Sequence, residues 1–203
     1  MKRRFARRED LGLSKGEFAT LARLSTPQKI QNYLNALPQN FEPDGQTCLS
    51  VREVLHQKRA HCIEGAMLAA LALWIQGEPP LLLDLKATRD YDHVVALFRR
   101  GGHWGAISKT NPPLLRYRDP VYRTLRELAM SYFHEYANRR HQKTLRSWAG
   151  PFDLAHATGW TRACRRGPAA RSCTTRSGRS SRPCGSCDWR KNAGNRVRSS
   201  TRR

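Results

Sequence analysis

The chain lacks any long run of apolar residues. Its longest run, from Ala66 to Ile75, is far shorter than the roughly 20 residues that a transmembrane helix needs. No apolar run of the kind found in secretory signals follows the basic first eight residues. These absences predict a protein that neither spans a membrane nor carries a cleaved signal, and we therefore expect a cytoplasmic location.

Cysteine is scarce in the part of the sequence that has a globular composition. Of six cysteines, only Cys48 and Cys62 precede residue 160. This distribution argues against a disulfide-stapled secreted fold, so we expect reduced thiols there. The same part has no glycine-rich phosphate loop and no histidine pair at metal-ligand spacing. We therefore expect neither a cofactor nor a metal.

Acidic residues are few, and the resulting positive charge is unevenly distributed. The formal net charge is +21, but residues 161–203 hold 13 Lys and Arg against a single acid, Asp188. The first eight residues add five more basic side chains, which leaves the middle of the chain with an ordinary composition. Association with nucleic acid through the basic termini is therefore kept as an alternative function.

The tail, residues 161–203, is also nearly devoid of large aliphatic side chains. Val197 is the only one larger than alanine, so the tail cannot bury enough apolar surface to offset its ordering entropy, and we expect disorder. Its abrupt change of composition favours an out-of-frame reading of a GC-rich gene over a natural nucleic-acid-binding arm. Zinc binding is the weakest interpretation because only one pair of the tail cysteines has C-x-x-C spacing; the four are Cys164, Cys173, Cys184 and Cys187.

The rest of the chain predicts one domain, residues 25–160, after a basic N-terminal segment, residues 1–24. Ser14 and Glu17 have capping-box spacing, and Pro27 suits the first turn of a helix. From Cys62 onward the sequence is apolar on nearly all sides, which is typical of a central buried helix. Short helices are thus expected ahead of a longer, central one.

Strands are predicted after this helix. Residues 81–87 and 93–100 have strand character, and the Gly101-Gly102 turn leads to an antiparallel partner at residues 103–110. Residues 121–139 predict a further helix. The fold class expected is α+β, with a central cysteine-bearing helix packed on a small antiparallel sheet.

Cys62 is the strongest candidate for a functional residue. A cysteine in this setting is more often a small core residue. At the start of a helix, however, the backbone N–H groups and the dipole favour a thiolate, which is the reactive form. His93 begins the second predicted strand and is the best candidate base. His61 is an alternative, but consecutive helix residues point about 100° apart, so we treat it as local environment.

The segments AHCIEGA, DHVVALF and HWGAISKTN, within residues 47–111, follow an order that resembles the transglutaminase-like, papain-like superfamily. In that superfamily a cysteine heads a central helix, a histidine lies on a strand, and an acid or amide lies on the next strand. The segment TLRELAMSYFHEY adds a resemblance to a bacterial branch. The resemblance implies a papain/transglutaminase-like core in which Cys62 and His93 are catalytic.

The third member of such a triad is left open. Members of the superfamily usually have Asp a few residues after the tryptophan that matches Trp104, and Ser108 stands there instead. Asn111 is the first choice, because an amide can orient an imidazole, with Ser108 and Asp92 as alternatives. Two further positions are not given catalytic roles: we expect Trp104 to serve packing rather than an acyl pocket, and Glu64 to point outward or pair with an arginine.

Three functions remain. The first is a thiol acyltransferase or amide hydrolase that acts on a peptide or amide substrate through a Cys62–His93 pair. The second is an inactive binding or scaffold protein of the same fold, which the missing Asp allows. The third is the nucleic-acid association through the basic termini described above.

Overall fold

Helices dominate the first part of the chain and strands the second in the computed structural model, which describes residues 6–42, 47–110, 114–157 and 159–161. The helices are α1 (Arg8–Leu11), α2 (Lys15–Arg23), α3 (Pro27–Ala36), α4 (Val51–Gln57), α5 (Cys62–Ile75) and α6 (Leu125–Ser131). The strands are β1 (Leu81–Ala87), β2 (His93–Arg100), β3 (His103–Ile107), β4 (Arg118–Tyr122) and β5 (Leu145–Asp153), with a 3-10 turn at Leu154–His156. The predicted α+β class is confirmed.

Local capping begins the early helices where the sequence predicted. At α2 the Ser14 N–H donates to Glu17 Oε2 at 2.6 Å, and the Glu17 N–H donates back to Ser14 Oγ at 3.2 Å. At α3 the Lys29 N–H donates to Thr26 Oγ1 at 3.2 Å, and Pro27 occupies the first turn. These bonds satisfy backbone N–H groups at the helix start, which have no carbonyl acceptor in a preceding turn.

Helix α5 is central, as its all-round apolar sequence predicted. Every residue from Glu64 to Leu73 is buried. The helix packs on β2 and β1 on one side, and α2, α3 and α4 cover its other sides. Cys62, its first residue, is therefore carried on the best-anchored element of the fold.

The sheet is antiparallel throughout, in the order β4-β3-β2-β1-β5. Gly101 and Gly102 both have positive φ, 56° and 82°, which suits the two-residue hairpin between β2 and β3. One face of the sheet packs on the α5 cluster. The other packs on a second cluster that includes α6 residues and the rings of Tyr132 and Tyr136.

The helix predicted over residues 121–139 is confirmed only in part, since α6 occupies Leu125–Ser131 within that range. Val121 lies in β4, and α6 is only seven residues long. Pro120, which cannot donate to a helical ladder, lies within β4. Thr124 then caps a new helix by accepting the Glu127 N–H at 3.1 Å. The apolar spacing across this boundary was therefore not the face of a single helix.

Among the residues that the structure describes, the sheet has five strands where the sequence predicted three. Strand β5 pairs with β1 from Leu81–Asp153 to Ala87–Leu145, and this pairing places it at the sheet edge. Most of its side chains are exposed or half-buried, so the alternation that identifies a strand in sequence is weak. Strand β4, at the opposite edge, has the same mixed burial.

Both ends of the described chain pack on the α5 cluster. Leu11, Leu13 and Leu21 are buried in it, and the ring of Trp160 stacks on Trp74 with centroids 6.2 Å apart. Residues 1–5 and 162–203 lie outside the described residues, and so do the predictions of terminal nucleic-acid binding, tail disorder and tail zinc. Within the described part, no helix is long and apolar enough to cross a bilayer, and no cluster of three metal-binding side chains occurs.

Candidate active site

Cys62 is the first residue of α5 and is half-buried, and its sulfur is hydrogen-bonded to both His61 and His93. Burial raises the pKa of the thiol. The hydrogen bonds and positive charges of the two imidazoles outweigh that effect and lower the pKa to about 5. At neutral pH a thiol with such a pKa is a thiolate, the form that attacks carbonyl carbon.

His93, the first residue of β2, lies between Cys62 and Ser108. Its Nε2 is 2.7 Å from Ser108 Oγ, and Ser108 Oγ donates its own proton to the Leu115 carbonyl at 2.6 Å. Because that hydroxyl proton is already used, Ser108 accepts the Nε2–H of His93. The remaining nitrogen, Nδ1, is then the one available to the Cys62 sulfur.

Ser108 is held by a side chain from a distant helix. The Ser108 N–H donates to Gln31 Oε1 at 3.0 Å, and Gln31 Nε2 donates to the Ser108 carbonyl at 2.8 Å. Both residues are buried. Helix α3 therefore fixes the backbone at the point where β3 ends, and with it the hydroxyl that faces His93.

The three candidates for the third position have different surroundings. Ser108 is the one whose side chain bonds the His93 ring. The Asp92 carboxylate accepts from Lys86 Nζ at 2.6 Å and from the Ala87 N–H at 3.1 Å. Asn111, the first choice from the sequence, lies outside the described residues. Among the described groups, Ser108 is thus the orienting partner seen on His93.

The expectation for Glu64 is wrong. Its side chain is fully buried and accepts the Leu49 N–H at 2.8 Å, the His61 N–H at 2.9 Å, the Thr47 hydroxyl at 3.0 Å and Asn40 Nδ2 at 3.1 Å. The third residue of a helix can reach back to the cap backbone, and here the loop before α4 closes over it. Glu64 joins this loop to the start of α5.

His61 is hydrogen-bonded to Cys62, which is not expected of consecutive helix residues, because His61 precedes the helix. It is the cap residue, with extended backbone (φ −102°, ψ −170°), so the 100° spacing of helical neighbours does not apply to it. Its ring reaches Cys62, while Nε2 lies 3.2 Å from the Thr47 carbonyl and 3.3 Å from both Glu42 Oε1 and Glu64 Oε1. The spacing of His61 and Glu64, three residues apart as in a capping box, was the sequence signal that His61 is the cap residue.

Tyr136 lies close to the site, whereas Trp104 lies away from it. The Tyr136 hydroxyl donates to the Tyr91 carbonyl at 2.7 Å, and burial, followed by the nearby Cys62 charge, raises the pKa of this phenol. Tyr136 therefore stays neutral beside the thiolate. Trp104 packs against the second cluster, on the sheet face away from α5, with the Arg99 guanidinium 4.7 Å from its ring centroid. It serves packing, as expected.

In comparisons with known proteins, no family profile matches this chain and no curated sequence shows significant similarity to it.

Proposed function

We propose that this protein is a thiol acyltransferase or amide hydrolase, with Cys62 as the nucleophile, His93 as the proton-transfer group and Ser108 as the residue that orients the imidazole. One observation carries the proposal: the continuous hydrogen-bond chain from Cys62 through His93 and Ser108 to the Leu115 carbonyl. Its members come from a helix, a strand and the segments that follow the next strand. These residues are therefore brought together by the fold and not by closeness in the sequence.

We also propose that the α+β core is of the papain/transglutaminase type. Three features support this assignment. Cys62 begins the buried central helix, His93 begins the strand that packs on it, and Ser108 directly follows the next antiparallel strand. The substitution of a neutral hydroxyl for the usual acid or amide distinguishes this chain from the superfamily pattern.

The reaction follows from the positions of the protons. The Cys62 thiolate attacks the carbonyl carbon of an amide, and the C–N bond breaks as the leaving nitrogen takes a proton from His93, which leaves a thioester on Cys62. Water or an amine then attacks the thioester and gives its proton to His93. The C–S bond breaks, the acid or new amide leaves, and the thiolate is restored.

Alkylation of the thiol tests the first part of the proposal. Iodoacetamide labelling of Cys62, followed across pH by peptide mass spectrometry, should be half-maximal near pH 5, because the reaction follows the thiolate. Cys48, the other cysteine among the described residues, serves as an internal reference. If Cys62 is labelled no faster than Cys48 at pH 6, the site is a structural one.

Acylation tests the second part. Exposure to p-nitrophenyl acetate should place one acetyl group on Cys62 with release of nitrophenol, and Cys62→Ala should abolish both. His93→Gln should retain the acetyl group much longer, because no base activates water. His134→Gln, an exposed histidine, is the matched control and should behave as wild type. A wild-type protein that forms no acetyl-enzyme would instead support the inactive binding protein.

A further inference from the structure

We propose that His61 is a second catalytic imidazole of this site. It stays positively charged through the reaction and stabilises the Cys62 thiolate. His93 is then the imidazole that transfers the proton. This inference rests on the proposed thiol chemistry and assigns that chemistry to two histidines instead of one. It follows from the acceptors around His61 and from the neutral partner of His93.

The protonation of His61 is set by its neighbours. Three oxygens surround Nε2, namely the Thr47 carbonyl, Glu42 Oε1 and Glu64 Oε1, and all are acceptors at 3.2 to 3.3 Å. Nε2 therefore carries a proton, and the other ring nitrogen is the one directed to the Cys62 sulfur. Two carboxylates and a thiolate face this ring, and only 16% of its side chain is exposed.

This arrangement favours the imidazolium. Burial lowers the pKa of His61, but the hydrogen bond to Cys62 and the charge of Glu64 outweigh it and raise the pKa to about 9. Glu64 is itself fixed by backbone and side-chain donors. Glu64 is thus a positioning residue that acts on the thiol through His61.

The two histidines differ in their second partners. His93 is oriented by the neutral Ser108 hydroxyl, which fixes the ring without a counter-charge. His61 is paired with carboxylates and keeps its charge when His93 has given its proton to the leaving amine. When the acyl group leaves in the second half-reaction, the departing sulfur becomes a thiolate beside that imidazolium, which stabilises it.

Iodoacetamide labelling of Cys62 across pH distinguishes this division of roles from a single-histidine site. His93→Gln should keep labelling at pH 7 within about tenfold of wild type while slowing release of the acetyl group. His61→Gln should move the half-maximal pH upward by about one unit or more. The double variant should label about 50- to 100-fold more slowly at pH 7. His61→Lys, which restores a cation, should return the profile toward wild type.

The inference is overturned if His61→Gln labels with the wild-type pH profile, or if His93→Gln alone is as slow as the double variant. NMR of the unaltered protein avoids any folding defect of the variants. The His61 C2–H should titrate near pH 9 and shift to lower pH after Cys62 is alkylated. A His61 titration near pH 6.5 that alkylation leaves unchanged also overturns it. Failure of the enzyme proposal is a separate result, the absence of acetyl-Cys62.

Discussion

Replacement of Glu64 by glutamine tests the most unusual feature of the fold, a carboxylate buried at the third position of the central helix. Glutamine keeps the shape but converts one oxygen into an NH₂ group. If Oε1 is replaced, the new amide faces the Leu49 N–H, which lies 2.8 Å from that atom. If Oε2 is replaced, it faces the His61 N–H at 2.9 Å. Either orientation sets donor against donor.

The expected cost follows from these contacts. A buried N–H without an acceptor costs about 1–3 kcal/mol, and the bonds that remain lose the charge of the carboxylate, so we expect a total of about 2–4 kcal/mol in the free energy of unfolding. For a chain of this size such a loss lowers Tm by roughly 4–16 °C. Urea unfolding followed by far-UV circular dichroism measures the change.

Glu127→Gln is the matched control. Glu127 also occupies the third position of its helix, α6, but it is exposed and accepts one backbone N–H, from Arg123 at 2.8 Å. We expect a change within about 0.5 kcal/mol, because water replaces the lost acceptor. Equal stability losses for Glu64→Gln and Glu127→Gln would refute the role given to the buried network.

Two further predictions concern packing and pH. An alanine at Gly65 would place its Cβ against the Cβ of Lys109, so we expect Gly65→Ala to lower the free energy of unfolding by about 1–3 kcal/mol through overpacking. Gly16 has open space around it, so Gly16→Ala should raise that free energy by about 0.4–1 kcal/mol. Urea titrations of the two variants measure both changes. Burial raises the pKa of Glu17, but hydrogen bonds from Ser14 and two basic side chains outweigh it and lower the pKa to about 2. Its contribution to stability is therefore complete above pH 4.5 and lost as pH falls toward 2, so Glu17→Gln should be less stable than wild type at pH 7 and equal to it near pH 2.

Several elements could be predicted because their signals are local. The Ser14–Glu17 capping box, the all-round apolar helix after Cys62 and the Gly101-Gly102 hairpin each depend on residues close together in sequence. The edge strand β5 could not, because its burial comes from pairing with β1 and not from its own alternation. The helix predicted over residues 121–139 was too long, because the apolar spacing continues from β4 into α6 and does not mark where the strand ends.

The sequence by itself determined that a cysteine begins a buried helix and that a histidine begins a strand after it. Helix caps and strand patterns depend on residues that are neighbours in the sequence. Only the tertiary structure decided what surrounds that cysteine. Ser108 faces His93 because Gln31, 77 residues away, holds its backbone, and His61 turns toward the thiol because a buried glutamate and a distant loop share its ring. These contacts join segments far apart in the chain, where spacing carries no information about direction.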